Sequence, residues 1–422
     1  MKEKHRRMKD FVDGIKVIDT HEHLMEESKR LAMNLDFGVL LDMYPLDSLV
    51  AAGLSPEDAA FVRKEGNDIH DKWRRIEPYW DFASTTDYCR AFMLSINKIY
   101  DITHLNKNTY ETLTQYIRTR NKPGILRHLL CDVSGIERCI VNSMDDEAEF
   151  MRTTTDSDIF SHEIGFGILF ATREFPLEAM QAKTGISIES LNDLLRALDW
   201  YIDSHASRAV AIKIQSAYFR SLDISLPTRK EAENSFSIFL ESRAECMPED
   251  VLPFQNYLFH HIVRRGIECN LPVRIHTGYL TGTGYMRLSG INPSLLTPLF
   301  RQYPEARFSL FHIGYPYWNE MLAIAKHYPN VWIDLCWAWI IDWEATWEFF
   351  KRFIHTTPCN KIFGFGGDYH HADQVYGHVE LARVGISKAL SELVYEGFLA
   401  RKEAENIALR ALRENAIEFF KL

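Results

Sequence analysis

The sequence predicts an α/β fold, a (β/α)8 TIM barrel with a helical insertion after strand 1 and a smaller insertion after strand 4. Three observations predict it. Eight short, apolar, β-branched runs recur along the chain. Patterns with helical spacing lie between them. Several runs end in a polar residue able to do chemistry, and in a parallel barrel such ends gather at one mouth.

The runs are 16–21, 138–142, 164–170, 209–214, 272–277, 307–312, 331–335 and 361–368. They read as strands buried on both faces. Apolar residues at helical spacing fill 190–203, 293–303 and 318–328, and a last helical stretch, 402–420, is expected to pack outside the barrel. About 110 residues separate the first two runs and about 60 the fourth and fifth, and connections of that size carry structure of their own. Helical patterns at 55–64, 86–99 and 108–121 make 25–135 a helical, lid-like insertion. Patterns at 235–244 and 254–264 accompany the second insertion, 216–252. The whole chain, 1–422, is read as one barrel domain.

Composition narrows the function classes. With 46% hydrophobic residues the chain can bury a large core. Its net charge of -10 argues against a nucleic-acid partner and against anionic membrane surfaces. No run reaches the length of a membrane span, and the charged start, MKEKHRRMKD, is not a secretory leader. Seven scattered cysteines form no C-x-x-C pair, so neither a disulfide framework nor a zinc-thiolate knuckle is expected. The expected setting is cytoplasmic and reducing. The expected partner is a small-molecule substrate, with homo-oligomerisation left open.

The chemistry sits at the strand ends. The first run ends in His21-Glu22-His23, and residues two apart on a strand face the same side. The fourth carries Lys213, the fifth Arg274 and His276, the sixth His312 and the eighth Asp368. Histidines and a carboxylate meeting at one mouth form a nitrogen and oxygen set for a divalent metal. Zinc is the first expectation, and manganese, iron or cobalt also fit. Taken singly, each residue has a plainer reading. His276 or His312 could be a hydrogen-bonded core histidine, and Asp368 a helix cap. Arg274 either binds an anionic substrate group or forms a salt bridge inside the barrel. Tyr279, in the glycine-rich stretch 279–285, and the loop histidines His370 and His371 are candidate substrate contacts. That stretch lacks a P-loop lysine. Trp73, Arg74, Trp80 and Arg90 are expected mainly to pack, and Trp337 and Trp339 are expected to pack in the core, with walling the pocket as the alternative for both.

The order His21-x-His23, Lys213, His276, His312, Asp368, with I-D-T-H-E-H at 18–23 and F-G-x-G-G-D at 363–368, resembles the amidohydrolase superfamily, in its amidohydrolase-related branch. The pieces HTGY, NPSLL, FHIGYPY and HYPNVW between 276 and 332 are similar to the amidohydrolase module fused to glutamine-synthetase-like enzymes. The pieces PYW and DYCRAF, between Trp73 and Ile99, resemble the insertion of uronate isomerases. The resemblance implies that His21, His23, His276 and Asp368 hold a metal. It implies that His312 polarises substrate or binds a second ion, and that Lys213, if carbamylated, bridges two ions. A free ammonium could not do so, having no acceptor.

These residues and the resemblance together imply a metal-dependent hydrolase that cleaves an amide, lactone or ester-type bond of a small, carboxylate-bearing substrate. The metal activates water, Asp368 accepts its proton and His312 stabilises the oxyanion. The alternatives on the same site are a uronate-isomerase-like aldose–ketose isomerase, with Arg274 on the carboxylate, and a metal-dependent decarboxylase. A barrel kept as a non-enzymatic module is the remaining contrast.

Overall fold

The computed structural model describes residues 2–142, 158–171, 175–243, 245–280 and 286–422. The strands are β1 (Val17–Glu22), β2 (Ile136–Val141), β3 (Phe160–Gly165), β4 (Ala209–Ile214), β5 (Val273–Ile275), β6 (Phe308–Phe311), β7 (Val331–Asp334) and β8 (Ile362–Phe363). They form one sheet in sequential order, every neighbouring pair parallel. The ring closes where Thr20 N donates to Phe365 O at 3.1 Å and Asp368 N to His21 O at 2.9 Å. No helix among the described residues is long and apolar enough to cross a membrane.

One strand lies elsewhere than its sequence pattern suggests. The third apolar run spans 164–170, but β3 occupies Phe160–Gly165, and Ile168–Phe170 is a short 3-10 turn. Alternation within F-S-H-E-I-G, not the run after it, makes the pairing with β4. The consequence is functional, because Glu163 then lies inside the barrel.

The first insertion is a set of capped, amphipathic helices. Pro56–Arg63 starts with the Ser55 side chain accepting from Asp58 N, and Asp87–Tyr100 with Thr86 accepting from Cys89 N. The second of these buries Tyr88, Ala91, Phe92, Ser95, Ile96 and Ile99, a stripe of three-and-four spacing. It lies on the helix Val375–Tyr395, which follows β8. The backbones touch there, since a Cβ on Gly377 would stand 1.8 Å from Ala91 O. In the second insertion, Arg229–Ser242 opens with a capping box of Thr228 and Glu231 and packs on Pro248–Glu268 through Phe236, Phe239 and Phe254.

The C-terminal stretch corrects its expected place. It divides into Arg401–Leu409, a π-turn and Asn415–Phe420. Phe419 and Phe420 pack with Ile18, Ile140, Ala211 and Phe363 and close the bottom of the barrel. The Phe420 ring lies 4.9 Å from the Arg274 guanidinium carbon, so this helix plugs the barrel and does not merely flank it.

The tight crossing gives a stability test. Overpacking costs about 1–3 kcal/mol, and more where backbone must move. Gly377→Ala is therefore expected to lower the urea midpoint clearly. Gly14→Ala, with its nearest atom at 3.4 Å, is expected to change stability by less than about 0.5 kcal/mol.

Candidate metal centre

The end of β1 breaks its alternation through a register shift between Asp19 and Glu22. His21 and His23 face the mouth, while Asp19 and Glu22 turn toward the loop after β8. That loop comes close only because it is glycine. A Cβ on Gly367 would lie 1.9 Å from Glu22 Oε1, and one on Gly366 would lie 2.8 Å from Cys336 Cβ and from Thr20 Oγ1. The approach sets Asp368 over the two histidines with a left-handed φ of 66°. Its Oδ1 is 3.2 Å from Nε2 of both His21 and His23, and those nitrogens are 3.3 Å apart.

The outer contacts of each ring decide its tautomer. His23 Nδ1 meets Asn142 O at 2.8 Å, and His312 Nδ1 meets Cys336 O at 2.7 Å. A carbonyl only accepts, so both Nδ1 atoms carry the proton and both Nε2 atoms present lone pairs. His21 Nδ1 lies 2.7 Å from Glu163 Oε1, which orients it the same way. Lone pairs and a carboxylate thus face each other in a buried space, an arrangement that repels itself. A divalent cation satisfies it, and edges of 3.2–3.3 Å suit bonds of about 2.0–2.2 Å in tetrahedral geometry. The residues present therefore fit a metal. Buried groups of this kind are His21, His23, Asp368 and, overlapping it, His312, Cys336, Asp368.

The electrostatics agree. Burial works to raise the Asp368 carboxyl, and only N–H groups donated by the His21 and His23 rings, whose place the cation takes when bound, hold it well below the usual carboxylate range. Burial holds His23 below its ordinary value and His312 at about 3, so both stay neutral. Beneath them, burial pushes Asp19 up to about 6 and Glu22 well above its normal value, the Asp19 charge adding to the latter. Between them the two carboxyls accept from the amides of His21, Gly367 and Tyr369.

The other expected residues sort themselves by distance. His276 is one ring removed, its Nδ1 3.0 Å from His312 Nε2 and its own Nε2 buried without a partner. Lys213 Nζ lies 3.4 Å from His21 Nε2 and 3.0 Å from the centre of the Phe311 ring. Burial lowers its ammonium to about 8. Arg274 takes the interior role, not the substrate role. It is fully buried and donates to Glu163 at 2.6 Å, Asp334 at 2.8 Å and Thr20 O at 2.7 Å, so no face of it meets the pocket. The carboxylate-bearing substrate loses the group expected to bind it.

The pocket over the centre holds about 310 Å³ and is lined by His23, Asp42, Tyr44, Tyr218, Trp337 and His370, among others. His371 is not among them. It is buried, while His370 faces the pocket and meets Asp42 at 3.1 Å, because successive residues of an extended loop point opposite ways. Tyr279 stands behind the wall, its hydroxyl 3.0 Å from that of Tyr88 and its ring against Trp337. Residues 281–285 of its glycine-rich stretch lie outside the described residues. Trp73 stacks on Tyr110, and Trp339 donates to Gly364 O, both as packing residues. Sequence reasoning missed Glu163, Asp42, Tyr44, Tyr218 and Cys336. Only Glu163 left a signal, as an acid within a strand-like alternation.

Two measurements test this arrangement. Glu163→Gln removes the carboxylate that orients His21, and zinc affinity, measured against a chromophoric chelator, is expected to fall about 10–100-fold. Burial also holds His371 at about 4 and His378 at about 3. The unfolded chain protonates such histidines near 6.5 and the fold does not, so stability is full above that value and falls as pH drops toward 4. Urea midpoints of the metal-free chain are expected to decline from pH 7 to 5. A flat profile refutes the neutral assignment.

Comparison with known proteins places this geometry. A family model described as amidohydrolase matches residues 243–422. Protein fluG of Emericella nidulans is 26% identical over 223 residues, 50% of this chain and 26% of that protein, so the match spans about a quarter of the relative's length. Among solved structures, glucuronate isomerase of Caulobacter crescentus aligns with TM-score 0.79 at 18% identity, over 100% of this chain and 94% of its own. Uronate isomerase of Thermotoga maritima aligns with TM-score 0.81 at 14% identity, over 99% and 97%. A protein of Lactobacillus casei described as a metal-dependent hydrolase aligns with TM-score 0.67 at 14% identity, over 98% and 97%. Residues 243–422 thus match the amidohydrolase family model, and the chain along its whole length shares the barrel fold of these solved structures.

Proposed function

We propose that the chain is a metal-dependent hydrolase acting on an amide, lactone or ester-type bond of a small substrate. One observation carries the reading: Asp368 is a buried carboxylate on the pocket floor, its Oδ1 3.2 Å from Nε2 of both His21 and His23. A divalent ion held by His21, His23 and Asp368 supplies Lewis acidity, polarising a carbonyl and acidifying water.

The chain's own groups do the rest. Asp368 takes the proton of the attacking water at a carboxylate oxygen and returns it to the leaving group. Its ionised state at neutral pH is what lets it start as a base. His312 donates Nδ1–H to Cys336 O and so turns an Nε2 lone pair toward the centre, where it accepts from the attacking water and positions it. Tyr44 holds the Asp368 backbone by donating to its carbonyl at 2.7 Å. Trp337 and Tyr218 wall the pocket and exclude water. The insertion after β1, which brings Asp42, Tyr44 and Arg63 to that wall, sets substrate choice.

The likeness to uronate isomerases over nearly the full length favours a second reading, aldose–ketose isomerisation of a sugar acid. Against it, Arg63 at the rim is the only permanently cationic residue among the described residues lining the pocket. A sugar acid needs a cation at its carboxylate.

A panel of N-acyl amines, lactones and uronates, assayed with zinc or manganese, separates the two. Hydrolysis without isomerisation is expected, and turnover confined to uronates overturns the primary reading. Asp368→Asn is expected to keep much of its metal and lose at least about 10²-fold in kcat. Wild-type-like turnover in that variant removes Asp368 from the chemistry.

A further inference from the structure

We propose that Cys336 is a thiolate ligand of a second cation position, formed with His312 and the far oxygen of Asp368. The inference rests on the centre proposed above and extends it by a ligand of different chemistry.

Asp368 divides its two oxygens. Oδ1 faces His21 and His23, while Oδ2 faces His312, 3.9 Å from its Nε2. Ligand atoms of His312, Cys336 and Asp368 lie within 4.8 Å of one another, and all three residues are buried. The thiol is held in place from several sides. Asp334 accepts from Cys336 N at 2.9 Å, and the Cys336 carbonyl orients the His312 ring. Gly366 leaves room where any Cβ would stand 3.0 Å from Sγ. Two other buried thiols have carbonyl acceptors, Cys89 at Pro45 O and Cys246 at Ile238 O. Cys336 Sγ faces an imidazole and a carboxylate instead.

The backbone points the same way. His312, Trp337 directly after Cys336, and Asp368 have φ of 61°, 60° and 66°. Such conformations are strained in non-glycine residues and persist where the surrounding structure imposes them, often at functional sites. Here all three loops that carry the proposed ligands are bent in this manner.

A thiolate, an imidazole and a carboxylate favour zinc, cobalt or cadmium over magnesium, calcium or manganese. On binding, the S–H bond breaks, a metal–sulfur bond forms and the proton leaves to solvent. The cation also replaces the hydrogen bond from His276 Nδ1 to His312 Nε2. Three protein ligands leave a fourth position open, as in catalytic rather than structural sites.

The test uses the full chain, stripped with a chelator and reloaded with Co2+. Two ions are expected to bind, with a sulfur-to-cobalt charge-transfer band in the near ultraviolet beside the visible d–d bands. Cys336→Ser is expected to lose that band and one ion, while Cys139→Ser keeps both. Visible d–d bands in the wild type without the charge-transfer band overturn the thiolate and leave the histidine centre standing. The band persisting in Cys336→Ser overturns it as well. Absence of all cobalt binding overturns the centre itself. X-ray absorption of the zinc-loaded wild type needs no variant. A sulfur scatterer at about 2.3 Å is expected, and a shell of nitrogen and oxygen alone overturns the proposal.

Discussion

One buried guanidinium organises this barrel. Arg274 reaches from β5 to Glu163 on β3, to Asp334 on β7 and to the backbone of Thr20 on β1. Each contact leads to the site. Glu163 also touches His21, and Asp334 accepts from Thr20 Oγ1 and Cys336 N. A fully desolvated charge is tolerable only when paired, and removing one partner of such a pair costs about 3–5 kcal/mol. The orientation of the histidine cluster is therefore tied to the electrostatic neutrality of the barrel interior. The tie lies one layer beneath the residues of the mouth.

The second constraint is close approach. The barrel closes between β8 and β1 through two glycines, and side chains at either would collide with Glu22, Cys336 or Thr20. Proximity then does the electrostatic work. Asp19 and Glu22 lie beneath the loop and accept the amides of Gly367 and Tyr369, which holds Asp368 over His21 and His23. The pocket above is built from other parts of the chain: the first insertion, the turn after β4 and the loops after β7 and β8. Rigid strands present the ligands, and the loops and the insertion shape what can reach them.

Much of the site is legible in the residues alone. The alternation in H-E-H places two imidazoles on one face whatever the fold around them. The glycines of F-G-x-G-G-D announce a backbone that must pass close to something. The misses have physical causes. The strongest apolar run near β3 lies beyond the strand, so Glu163 falls outside the predicted element. Arg274 cannot be assigned from its neighbours because its partners stand 111 and 60 residues away. His370 and His371 are indistinguishable until the loop's alternation is known. Cys336 follows a hydrophobic strand and resembles any buried thiol until Asp368 and His312 are set beside it.

The sequence by itself determined the local terms: strand and helix periodicity, the capped insertion helices, and which residue types could ligate a cation. These depend on neighbours within a few positions, where covalent geometry dictates direction. The tertiary structure alone decided the register of β3, the plug formed by Phe419 and Phe420, the interior role of Arg274 and the split between the two Asp368 oxygens. Those outcomes depend on distances of a few ångströms between residues hundreds of positions apart. Such distances emerge only when the ring of strands has closed and its buried charges have found partners.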